Sequence, residues 1–147
     1  MKAPHALLLT VVFAAESACA VTNTLTITNT TYLDSHVSNQ TLNYGHAHTV
    51  KALVNSNVTG DGSMCRGLLQ LPPQIWAYPP EAILSATVAF YVWQDNSGAR
   101  NVTLYPLTRA FVPGTGSGTA PADGATWHTC DGANPWTHPG GDFDPAH

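Results

Sequence analysis

An all-β fold, an antiparallel β-sandwich of jelly-roll type, is what this sequence predicts. Short runs alternate polar and apolar residues, as in Thr24-Leu-Thr-Ile-Thr28 and Ala86-Thr-Val-Ala-Phe90. That period is the mark of strands with one buried face. Clusters of Asn, Gly, Asp and Pro separate the runs, and such residues make turns. No helical period is sustained after Ala20. Strands at this spacing indicate a sandwich.

The elements follow in order. Thr24–Thr28 is the first strand, and Tyr32–Asn39 is a polar connection carrying Asp34. Asn43-Tyr-Gly45 is a turn. His48–Val54 alternates again, with Val50, Ala52 and Val54 on one face. Asn55–Ser63 is a turn rich in Asn, Gly and Asp. Arg66–Leu71 is a short strand, closed by Pro72-Pro73. Gln74–Pro80 is irregular and contains Trp76 and Tyr78. Ala82–Trp93 is the longest strand signal, with Ala86, Val88, Phe90 and Val92 toward the core. Tyr91 and Trp93 then lie on the other face, turned outward or across a groove. Gln94–Gly98 is a hairpin loop, and Arg100–Tyr105 is the returning strand. Gly114–Gly118 precedes no helix and reads as a flexible loop, not as a phosphate cradle.

The chain has 147 residues, enough for one domain with a core. Only 10% of residues are charged, while Thr, Ser, Asn and Gly abound, which suits an extracellular β domain. A net charge of −4 with no basic stripe excludes an electrostatic nucleic-acid binder.

Residues 1–20 have the pattern of a secretory signal peptide. Lys2 supplies the positive charge, Ala6–Ala15 the apolar run and Ala18-Cys-Ala20 the small-residue cleavage site. The run is shorter than the roughly 20 residues that a bilayer span needs. A secreted or cell-surface module, 21–147, with no membrane span in the mature chain is therefore expected. A retained anchor helix is the alternative, and Glu16 argues against lipidation at Cys19. Loss of Cys19 leaves Cys65 and Cys130. As a disulfide they would close a long loop, stabilising by on the order of 4 kcal/mol. As separate buried thiols they would not.

Several stretches resemble a known family. Tyr32-Leu-Asp-Ser35, Asn43-Tyr-Gly45, Arg66-Gly-Leu-Leu69, Ala86–Val92 and Gly114–Asp144 are similar to the DNRLRE domain, also called the disaggregatase-related repeat. That domain overlaps carbohydrate-binding module family 96. The most specific part is the order Pro-Leu-Thr-Arg109, Gly-Thr-Gly116, Gly-Ala-Thr-Trp127, Trp136-Thr-His-Pro-Gly-Gly-Asp-Phe-Asp144. The resemblance implies a non-catalytic jelly-roll module on secreted proteins, with acidic polysaccharides such as alginate among the ligands of some members. Members continue with further strands beyond the Gly-Gly-Asp-Phe-Asp segment, and this sequence ends at His147. It also implies, then, a sandwich truncated at its C-terminus, or one completed by strands from another chain through self-association.

Sugar rings stack on aromatic faces, so Tyr91, Trp93, Trp127 and Trp136 are candidate carbohydrate-binding residues. Trp127 and Trp136 would otherwise shape and cap the loop. A uronate ligand would call for a guanidinium, and Arg66 and Arg109 lie in the motif-like stretches. Bracing a loop is the other role open to them. Calcium could be held by Asp34, or by Asp142 with Asp144. Asp residues in turns otherwise cap their own backbone. His36, His46 and His48 lack the partners of a zinc or copper set. No nucleophile elbow, phosphate loop, zinc-protease motif or glycosidase-like carboxylate pair occurs, so no catalytic residue is expected. Sequons stand at Asn29, Asn39, Asn57 and Asn101. The function expected is polysaccharide binding. A structural or adhesive protein that assembles through open sheet edges is the rival, with a polysaccharide-active enzyme third.

Overall fold

A computed structural model describes residues 21–54, 63–90, 101–120 and 123–146. The signal-like segment, Tyr91, Trp93, Arg100 and the Gln94–Gly98 loop lie outside the described residues.

The class is all-β. Strands β1 (Asn29–Asp34), β2 (Leu53–Val54) and β3 (Met64–Gln70) form one antiparallel sheet in the order β1-β3-β2. Two 3-10 turns, Pro73–Ala77 and Pro80–Ala82, follow β3. No helix among the described residues is long and apolar enough to cross a membrane. Pro72 and Pro73 stop β3 as expected, because a proline offers no N–H to a ladder.

The sheet is covered on both faces. Leu33 lies opposite Arg66 and Thr31 opposite Leu68, and residues directly opposite share a face. This face joins the core of Leu33, Leu68, Ala125, Cys130 and Trp136, with Leu107, Phe111 and Trp127 packed against it. Leu33 has no exposed surface, so its burial contributes about 1.5–3 kcal/mol. On the other face Tyr32 lies opposite Gly67 and Asp34 opposite Cys65. There Tyr32 stacks on Tyr44 with ring centroids 4.1 Å apart.

The two faces explain the cysteines. Cys130 belongs to the Leu33–Leu68 core, whereas Cys65 points to the Tyr32 side of the same sheet. Both are buried free thiols, not the disulfide that was one expectation.

Several strand boundaries also differ from expectation. Thr24–Thr28 is unpaired, although its threonines are exposed and Leu25 and Ile27 half-buried, as the alternation required. The first strand is β1 instead, taking in Tyr32–Asp34 from the expected connection. Burial on both faces leaves β1 no alternation to read. Of His48–Val54 only Leu53–Val54 pair. Ala82 ends a 3-10 turn, and 83–90 is exposed and unpaired. Residues 101–105 are likewise exposed and form no strand. The described residues thus contain one sheet. The rest of the core side is built from loops, joined by the isolated bridges Asn43 to Thr119, Leu107 to Phe143 and Thr129 to Pro135.

Candidate functional site

The loop half is organised around Asn43, whose side chain has no exposed surface. Its Nδ2 donates to the carbonyls of Pro113 at 2.8 Å and Ala125 at 2.9 Å. Its Oδ1 accepts from the N–H groups of Gly45 at 3.1 Å and Gly116 at 2.8 Å. Its backbone pairs with Thr119 and Gly118. A buried amide with all these partners fixes the backbone around it. The Gly114–Gly118 segment is therefore pinned, not the flexible loop expected. A Cβ on Gly114 would come within 2.5 Å of Asn43 Oδ1, and the Gly114 φ of 80° also favours glycine.

Carboxylates hold the remaining turns. Asp123 accepts from the Thr115 N–H and hydroxyl, and these bonds lower its pKa. Asp131 accepts from Asn134 Nδ2 and from the N–H groups of Asn134 and Ala133. Those bonds hold its carboxyl down at about 2. Asp142 accepts from the N–H groups of Thr137 and His138, which lowers its pKa. Asp34 accepts from the His36 N–H and Asn39 Nδ2, and Asp144 from the Ala146 N–H. The three calcium candidates thus act as turn caps. No three His, Cys, Asp or Glu side chains among the described residues form an ion-binding group.

The expected sugar contacts in this half are engaged internally. Trp136 is 5% exposed, and its indole N–H donates to the Thr126 carbonyl at 2.9 Å. With no free ring face, it is a core residue and not a stacking platform. The Arg66 guanidinium lies 5.3 Å from the Trp127 ring and 5.0 Å from that of Phe143. It also donates to the Gly140 carbonyl at 2.8 Å. Burial lowers its pKa, while the ring faces offset part of the lost hydration. Arg109 donates to the Pro135 carbonyl at 2.7 Å. Arg66, Arg109 and Trp127 therefore brace the loops, the second of the roles open to them.

A different surface is open. A groove of about 370 Å³ lies beside the end of the β1–β3 pair, within the usual size range of small-ligand sites. Thr24, Thr26, Thr28, Asn29, Gln70 and Gln74 line it together with Leu25, Pro72 and Pro73. Thr24, Thr26 and Thr28 recur at every second position and all line the groove. Asn29 Nδ2 donates to Gln70 Oε1 at 3.2 Å across its end. Trp76 is 76% exposed and follows Pro73 by three residues in the Pro73–Ala77 turn. Trp76 therefore belongs to the turn that opens with the groove residues Pro73 and Gln74, without being one of the lining residues itself.

Sequence reasoning did not single out Trp76. The available signal was local: a tryptophan just after Pro-Pro, in a stretch with no period to bury it.

No protein-family model, curated protein or solved structure matches this chain. The likeness to the DNRLRE domain accordingly rests on the order of its motifs alone.

Proposed function

We propose that this chain is a secreted, non-catalytic carbohydrate-binding module for a polysaccharide. One observation carries the reading: a groove lined by hydroxyls and amides together with apolar Leu25, Pro72 and Pro73, next in the chain to the turn that exposes Trp76. Sugars need both kinds of contact. Their C–H faces pack on an aromatic ring, while their hydroxyls exchange hydrogen bonds with side-chain amides and hydroxyls. Tyr91 and Trp93, outside the described residues, remain a second candidate platform. The test is glycan-array binding of the purified protein with and without EDTA. Specific retention of a polysaccharide is expected, and its loss in EDTA would add calcium. A folded protein that retains none sinks the reading.

A second reading, assembly with another copy of the chain, is favoured by the run Ile83–Phe90. It carries no charged side chain, and Leu84 is 85% and Phe90 51% exposed. Residues 101–105 add the exposed Val102, Leu104 and Tyr105. Strand-prone runs left open without charge invite edge pairing. Pairing of these runs between copies would supply the second sheet of a jelly-roll sandwich. Sedimentation velocity tests it: a monomer at every concentration rules it out.

A further inference from the structure

We infer that this groove selects a neutral, hydroxyl-rich glycan over a uronate. The inference rests on the carbohydrate-binding reading and names the ligand class of the same groove.

The first argument is the fate of the cations. A polyuronate brings one carboxylate per sugar, and its recognition calls for Arg or Lys aimed at the ligand. The described residues contain Lys51, Arg66 and Arg109. Arg66 is held between Trp127 and Phe143 and bonded to Gly140, and Arg109 is bonded to Pro135. The Lys51 ammonium lies 5.2 Å from the Tyr32 ring centroid. None of these three lines the groove, and Arg100 lies outside the described residues.

The second argument is the lining itself. Among the described residues it contains no ionisable side chain, so none of these would compensate a carboxylate for lost water. What the lining offers instead suits neutral sugars. The threonine hydroxyls each donate and accept, the amides of Asn29, Gln70 and Gln74 do both, and the apolar Leu25, Pro72 and Pro73 suit C–H groups. No side-chain hydrogen bond of Thr24, Thr26, Thr28 or Gln74 occurs among the described residues.

Affinity electrophoresis separates the outcomes. The probes are neutral mixed-linkage β-glucan, xyloglucan and galactomannan, against alginate and polygalacturonate. The wild-type protein is expected to be retarded by at least one neutral gel and by neither acidic one. Retardation should persist from about 0.05 M to about 0.5 M NaCl, over which charge interactions are progressively screened. Trp76→Ala, at an exposed position, should weaken it by about tenfold, equivalent to one stacking contact. Gln74→Ala is the second variant and should weaken it by a few-fold. Salt-sensitive retardation by alginate or polygalacturonate would overturn the inference and leave the module reading standing. Neutral binding indifferent to both substitutions would overturn the assignment to this groove. Failure to bind any of the five, or any other glycan, would overturn the inference together with the reading beneath it.

Discussion

Asn43 and Gly116 are 73 residues apart and meet at 2.8 Å, the Gly116 N–H donating to Asn43 Oδ1. The contact is possible because Gly116 lacks a side chain: a Cβ there would lie 2.8 Å from that oxygen and 2.7 Å from the Asn43 carbonyl. A polar side chain thus does for the loops what a ladder does for strands. It satisfies backbone groups of Gly45, Pro113, Gly116 and Ala125, the last of them buried, at one point.

Asn43→Ala should therefore be among the most damaging single substitutions. Four hydrogen bonds end, and each buried group left unpaired costs about 1–3 kcal/mol. A loss of at least about 3 kcal/mol is expected, lowering the urea midpoint by more than about 1 M. Asn43→Asp should do no better, because a carboxylate oxygen would face the Pro113 and Ala125 carbonyls. A midpoint unchanged in both variants would show that Asn43 does not organise the loops.

Gly140 couples Trp127 to Arg66. Its φ is 93°, and a Cβ would meet Trp127 Cη2 at 2.7 Å and Arg66 Nη1 at 2.9 Å. Gly140→Ala should cost about 2 kcal/mol or more, from strain and crowding together. Arg66→Ala should then cost less in that background than in the wild type, since both changes loosen one contact. Additive losses in thermal unfolding would mean that Gly140 and Arg66 act independently.

What the sequence made legible follows from local physics. Pro72-Pro73 marks the end of β3 because it ends any ladder, and Asn43-Tyr-Gly45 is a turn because Asn43 bonds the N–H two residues on. β1 was hidden, because Thr31, Tyr32 and Leu33 are all buried and show no period. The run toward Phe90 misled for the opposite reason: its alternation is genuine, but no partner strand among the described residues pairs with 83–90. Pairing depends on the whole chain, which alternation cannot report. The site was obscured in the same way. Arg66, Arg109 and Trp136 have the residue types of a sugar site, and only their partners reveal a bracing role.

Cys65 and Cys130 should remain thiols. Burial, helped by the charge of Asp34, pushes the Cys65 thiol up to about 11, so almost no thiolate exists at neutral pH. Alkylation without reductant, followed by peptide mass spectrometry, should modify neither residue in the folded protein and both after denaturation. A disulfide-linked peptide from the denatured sample would contradict the opposed faces of the sheet.

Acid should destabilise the protein in part through Asp131. Its hydrogen bonds to Asn134 and Ala133 depress the folded carboxyl from 3.8 to about 2. The unfolded state therefore binds the proton more readily, and folding is favoured wherever the carboxylate is ionised. The contribution is fully present above about pH 4 and disappears as pH falls through about 2. Asp131→Asn keeps one acceptor oxygen but cannot ionise. Its deficit relative to wild type, read from urea midpoints between about pH 5 and pH 2, should shrink steadily as the pH is lowered. Asp123 and Asp142, depressed in the same direction, stay in both proteins and cancel from the comparison. A deficit that is constant across the range would mean that the Asp131 bonds do not depend on its charge.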